Sequence, residues 1–103
     1  MGLSTHVLDT ALGQPAAEIR VRLERGEPTA GWILVAEAST DPDGRITGLP
    51  LTSPGRWRLV FDTSARSAFF PEVTIAFEVS DPAEPHHVPL LLAPYGYSTY
   101  RGS

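Results

Sequence analysis

The chain has 103 residues, a net charge of −4 and no cysteine. That length predicts a single domain over 1–103, with a core modest enough that oligomerisation would be a natural supplement. Disulfides, thiolate nucleophiles and cysteine zinc sites are excluded. No apolar run approaches the ~18 residues of a membrane helix, and the interspersed charges lack the basic patch that nucleic acid requires.

Residues 3–9 read as a first strand, closed by a turn at Gly13-Gln14-Pro15. Ile19, Val21 and Leu23 alternate with Arg20, Arg22 and Glu24, a period of two with one face inward. Residues 31–38 are a more continuous apolar segment than the others and predict a strand covered on both sides for part of its length. Asp41-Pro42-Asp43-Gly44 is turn chemistry: proline presets φ, the aspartates cap amides and glycine supplies φ > 0. A short strand is expected near 46–49, then one through Trp57, Leu59 and Phe61. Residues 63–68 are the one plausible helix, with Asp62, Thr63 or Ser64 as its cap. Val73, Ile75, Phe77 and Val79 form the cleanest alternation in the chain. Segments 87–93 and 95–101 complete the pattern, and Pro89 demands an edge or a bulge in the first of them. Arg20/Arg22 and Arg56/Arg58 are expected on solvated faces. Short strands punctuated by ten prolines and nine glycines predict an all-β, two-sheet sandwich with one small helix.

Three places concentrate chemistry: His6, the His86-His87 pair, and the last seven residues, Tyr97 to Ser103. Histidine suits general acid–base work at neutral pH. Three imidazoles could also bind zinc, but adjacent strand residues point to opposite faces, so His86 and His87 are poorly placed to share one ion. No metal is expected. Arg45 follows the tight turn, which presents its side chain reproducibly. The tail packs two phenols, three hydroxyls and a guanidinium after an apolar run. There is no Gly-x-Ser-x-Gly elbow, dinucleotide loop or pair of carboxylates at useful spacing.

Ser4-Thr5-His6-Val7-Leu8-Asp9, Asp43-Gly44-Arg45, Phe69-Phe70-Pro71-Glu72-Val73, His87-Val88-Pro89-Leu90-Leu91-Leu92 and the tail ending Tyr100-Arg101-Gly102-Ser103 occur in this order. Together they make the chain resemble the 5-hydroxyisourate hydrolases, transthyretin-like proteins of purine catabolism, over essentially its whole length. The resemblance implies a transthyretin-like sandwich of two four-stranded sheets with one short helix. It implies a homotetramer, a dimer of dimers with active sites in the channel between dimers. It also implies hydrolysis of 5-hydroxyisourate to 2-oxo-4-hydroxy-4-carboxy-5-ureidoimidazoline without a cofactor. Family roles fall on His6, Arg45, His87 and Ser103 as catalytic residues, and on His6, Arg45, Tyr100 and Arg101 as substrate-binding residues. Either His6 or His87 would deprotonate water, Arg45 would hold carbonyls or the oxyanion, and Arg101 and Ser103 would fix the tail.

The chain departs from the family pattern in two places. Pro85 stands where another histidine is common, which bears on the hydrogen bond orienting His87, and the helix after Asp62 is shorter than usual. Missing cysteine, and the lack of a basic segment followed by an apolar stretch at the start, make a cytoplasmic location the expectation. The alternative function is a transthyretin-like carrier of a small ligand, whose channel would have to be cleared of these polar groups. A generic adhesion or structural sandwich would be monomeric.

Overall fold

The computed structural model describes residues 2–103, which form ten strands in two sheets. The first sheet has four antiparallel strands in the order β4 (Gly31–Ser39), β3 (Arg20–Glu27), β6 (Gly55–Asp62), β7 (Glu72–Val79). The second is built around β1 (Leu3–Asp9). On one side β1 pairs with β5 (Arg45–Leu49) and the two-residue β2 (Gln14–Pro15). On the other it pairs in parallel with β8 (His86–His87) and β9 (Leu90–Ala93), and β10 (Gly96–Thr99) lies outside β9. Six short segments thus fill four strand positions, which reconciles the expected pair of four-stranded sheets with the observed count.

Alternation sorts the core. Val21 and Leu23 of β3, Trp57, Leu59 and Phe61 of β6 and Val73 of β7 face Leu3 and Val7 of β1 and Leu90 and Leu92 of β9, all buried. The one buried hydroxyl on the inner face of β1, that of Thr5, donates to the Val88 carbonyl at 2.6 Å, which offsets its desolvation.

Four expectations are corrected. First, no helix forms over 63–68: the segment makes a single turn, with the Arg66 and Ser67 amides both donating to the Thr63 carbonyl. The Asp62 cap is present, its Oδ1 accepting from the Ser64 amide and hydroxyl. The loop is closed too soon by Thr63 N–H to the Pro71 carbonyl, and Thr63 Oγ1 and Ser67 Oγ bond the Phe70 and Pro94 carbonyls. A turn this short gains too few propagating bonds to offset helix nucleation.

Second, β4 is an outer strand rather than a covered one; Leu34 is 53% exposed. A bulge against β3 between Leu23 and Glu24 skips Val35 and changes which side chains share a face. Third, Arg20 and Arg56 are solvated as expected, but Arg22 and Arg58 converge on the largely buried Glu24 at 3.4 and 2.6 Å, and Arg58 stacks 4.2 Å over Trp32. Fourth, the expected turn at Gly13 to Pro15 contributes β2 to the ladder, and the expected strand 87–93 is broken at Val88-Pro89 into β8 and β9. Pro89 lies in the gap because it has no N–H to give a ladder.

Candidate active site

On β1, Leu3, Thr5, Val7 and Asp9 turn inward, leaving Ser4, His6 and Leu8 on the outer face. Two ladders bring distant residues beside them. Arg45 stands opposite His6 in the antiparallel pairing with β5, and His87 stands opposite Ser4 in the parallel pairing with β8. Arg45, His6, Ser4 and His87 therefore come together from three parts of the chain.

The turn before β5 does two jobs. Asp41 Oδ1 accepts from the Asp43 and Arg45 amides at 2.9 Å each, and Gly44 N–H closes on the Asp41 carbonyl at 2.8 Å. This fixes the start of β5 and so Arg45. The Asp43 carbonyl meanwhile lies 2.9 Å from His6 Nε2. A carbonyl can only accept, so Nε2 bears a hydrogen and Nδ1 has no protein partner among the described residues. Gly44 has φ +75°, and a Cβ there would lie 2.5 Å from the Val7 carbonyl oxygen. Gly44→Ala is therefore expected to cost at least about 1–2 kcal/mol for the left-handed backbone alone, and to lower activity by displacing the turn that carries Arg45 and faces His6. An unchanged urea midpoint would contradict this.

His87 is held from β1: its Nδ1 lies 2.8 Å from Ser4 Oγ, and Nε2 has no protein partner among the described residues. Partial burial lowers its pKa from the ordinary histidine value. The positive charge of Arg45 and the neighbouring His6 push the same way, against a hydrogen bond to the Ser4 backbone that acts in the other direction. The ring is thus biased toward its neutral, basic form.

After β10 the chain crosses His87. Gly102 N–H donates to the His87 carbonyl at 2.8 Å in an isolated antiparallel bridge. The crossing separates the tail residues. Ser103 joins Ser4, Arg45, Thr47, His86 and His87 around a cleft of about 560 Å³. Tyr100 and Arg101 instead line a second cleft of about 330 Å³, with Ile75, Phe77 and Val88. Within one chain the structure thus brings together His6, Arg45, His87 and Ser103, and sets Tyr100 and Arg101 on the other side of His87. His86 is buried, its Nδ1 2.8 Å from the Glu84 carbonyl. A groove of about 710 Å³ beside Trp32 and Ser53 has charges already paired, Arg25 with Glu27 and Arg56 with Glu78.

Sequence reasoning missed Ser4, the Asp43 carbonyl and Gly102. Ser4 had a signal, since a hydroxyl two residues from His6 in a strand shares its face. The other two act through backbone atoms and leave no side-chain signature.

Two packed sheets with a histidine–arginine cluster on an outer face define an all-β sandwich carrying a candidate acid–base site. The family model for the HIUase/Transthyretin family matches residues 3–102, and the chain belongs to that family. It is 43% identical over 110 residues to the 5-hydroxyisourate hydrolase of Salmonella dublin, covering 98% of this chain and 80% of that one. The Klebsiella pneumoniae 5-hydroxyisourate hydrolase structure superposes with a TM-score of 0.82 at 38% identity, covering 98% and 92% of the two chains. Sea bream transthyretin in complex with thyroxine gives 0.89 at 26% identity, covering 99% and 95%. For (S)-allantoin synthase the TM-score is 0.87 at 33% identity; the match covers 99% of this chain and only 43% of that one.

Proposed function

We propose that the chain, acting as one domain, hydrolyses 5-hydroxyisourate to 2-oxo-4-hydroxy-4-carboxy-5-ureidoimidazoline in urate breakdown. The observation that carries this reading is a neutral-biased His87 in one cleft with Arg45 and Ser103, in a chain whose relatives bear the hydrolase name. Ring opening requires water to add to an acyl carbon and a ring nitrogen to leave. His87 Nε2 takes a proton from water as its oxygen bonds to the carbon. Arg45 stabilises the oxyanion, for which a guanidinium fork is suited. When the carbon–nitrogen bond breaks, the imidazolium returns the proton to the leaving nitrogen, and the carboxylic acid so formed releases water's second proton to solvent to leave a carboxylate. His6, donating from Nε2 to the Asp43 carbonyl, keeps Nδ1 for substrate or water. No step calls for a cofactor or a metal.

Ser103 completes the pocket, and Tyr100 and Arg101 bind substrate once subunits assemble. We infer a homotetramer, a dimer of dimers, with the sites in the channel between dimers. In support, β7 and β10 are outer strands, each with an edge unpaired within the chain. The inferred location is the cytoplasm.

The test generates 5-hydroxyisourate in situ from urate with urate oxidase and follows its ultraviolet decay, with light scattering on the same sample. Faster decay with the wild type than with the His6→Ala/His87→Ala double variant is expected, from a tetramer. Decay at the spontaneous rate from a folded tetramer would replace the hydrolase by a carrier of small ligands.

A further inference from the structure

We propose that Ser4 and Gly102 are positioning residues for His87, Ser4 Oγ accepting the Nδ1–H of the ring while Gly102 lies flush against its opposite edge, so that Nε2 is left as the basic nitrogen. The proposal rests on the hydrolase reading for its kinetic consequence, but not for its structural one.

Ser4 and His87 are cross-strand partners on an outer face, which sets their side chains at contact distance. The 2.8 Å separation is that of a made hydrogen bond. A hydroxyl either donates or accepts. Here the Ser4 hydroxyl also has the His86 carbonyl within 3.5 Å, an acceptor toward which its own hydrogen can turn. No other side chain bonds the His87 ring among the described residues. Two places before His87 stands Pro85, which offers no side-chain donor or acceptor, so the orienting contact comes from β1 instead.

Gly102 closes the other side. A Cβ at this position would collide with His87 Cδ2 and stand 3.0 Å from Cγ and 3.1 Å from the His87 Cβ. Gly102 is not among the residues with positive φ. The backbone therefore tolerates any residue here, and the ring alone demands glycine. The same residue bonds the His87 carbonyl through its amide, so the tail holds both the backbone and the ring of His87.

Long-range ¹H–¹⁵N spectra, with His87 assigned from the His87→Ala variant, test the clamp without reference to turnover. Above the ordinary histidine pKa, wild-type His87 is expected as the Nδ1–H tautomer, and Ser4→Ala as a mixture of tautomers. Kinetically, Ser4→Ala is expected to lower kcat about 10-fold with KM little changed, and Gly102→Ala about 10–100-fold, the scale set by lost orientation of a catalytic group. Ser4→Thr, which restores the acceptor, is expected to restore both tautomer and kcat. A wild-type Nε2–H tautomer would overturn the proposal, as would a single unchanged tautomer in Ser4→Ala. A wild type with the expected tautomer but no hydrolysis would remove the hydrolase reading and leave the clamp standing.

Discussion

His87→Ala is expected to reduce kcat for 5-hydroxyisourate by about 10²–10⁴-fold, the contribution of a positioned general base, while the protein stays folded. The residue lies on the outer face of its sheet, outside the apolar core, so its removal opens no core cavity. The loss should exceed that of His6→Ala, because His87 lines the cleft with Arg45 and Ser103, whereas His6 is not among the residues lining it. The pH dependence follows from the direction of the His87 shift. Its folded pKa lies below the ordinary value of about 6.5, so the acid limb of kcat/KM is expected below that value. Stability has the same sign. Folding binds fewer protons at His87 than the unfolded chain does, so its contribution is fully present above the unfolded pKa and is lost as pH falls through the folded one. Arg45→Gln removes one of the charges that hold the pKa down, although burial, the larger cause, remains. The His87 titration, followed by NMR, should then move up toward the ordinary value, with His6 as the remaining neighbouring charge. A profile for His87→Ala with the wild-type acid limb, or wild-type kcat, would remove His87 as the base.

The largest stability effect is expected at Trp57. It is 0% exposed near the start of β6, and its Nε1–H donates to the Ser53 carbonyl at 3.0 Å. Trp57→Ala removes that packing, leaves a cavity between the sheets and orphans the carbonyl, at a cost of about 3–5 kcal/mol. Against the ~5–15 kcal/mol typical of a domain, this is enough to unfold a large fraction of molecules under mild stress. Urea unfolding followed by Trp32 fluorescence reports it directly, since Trp32 is the remaining tryptophan. A midpoint shift worth less than about 1 kcal/mol would mean that the sheets collapse over the void. Where the variant folds, kcat should stay within a few-fold of wild type, because Trp57 belongs to the core and the His87 face lies on the far side of the other sheet.

The alternation of Leu3, Thr5 and Val7 with Ser4, His6 and Leu8 is visible in the bare sequence because strand geometry has a period of two. So are the inward faces of β3, β6 and β7, the two-sheet class that follows from them, and the turn at Asp41 to Gly44 that presents Arg45. Where local signals competed with longer-range ones they misled. The capping residues after Asp62 advertise a helix, yet the loop they start is closed by Pro71 before a helix can propagate. The apolar run 31–38 reads as buried, yet a bulge and an outer position expose Leu34.

Residue types and order by themselves determined that this is an all-β protein without thiol chemistry and that histidine and arginine are its candidate catalytic groups, because each of these is local or compositional. Tertiary structure alone decided that His87 sits beside Ser4, that Arg45 sits beside His6, and that Gly102 divides Ser103 from Tyr100 and Arg101. The Ser4–His87 contact spans 83 positions of chain, and cross-strand register between segments so far apart is set by how the two sheets pack. No local pattern encodes it.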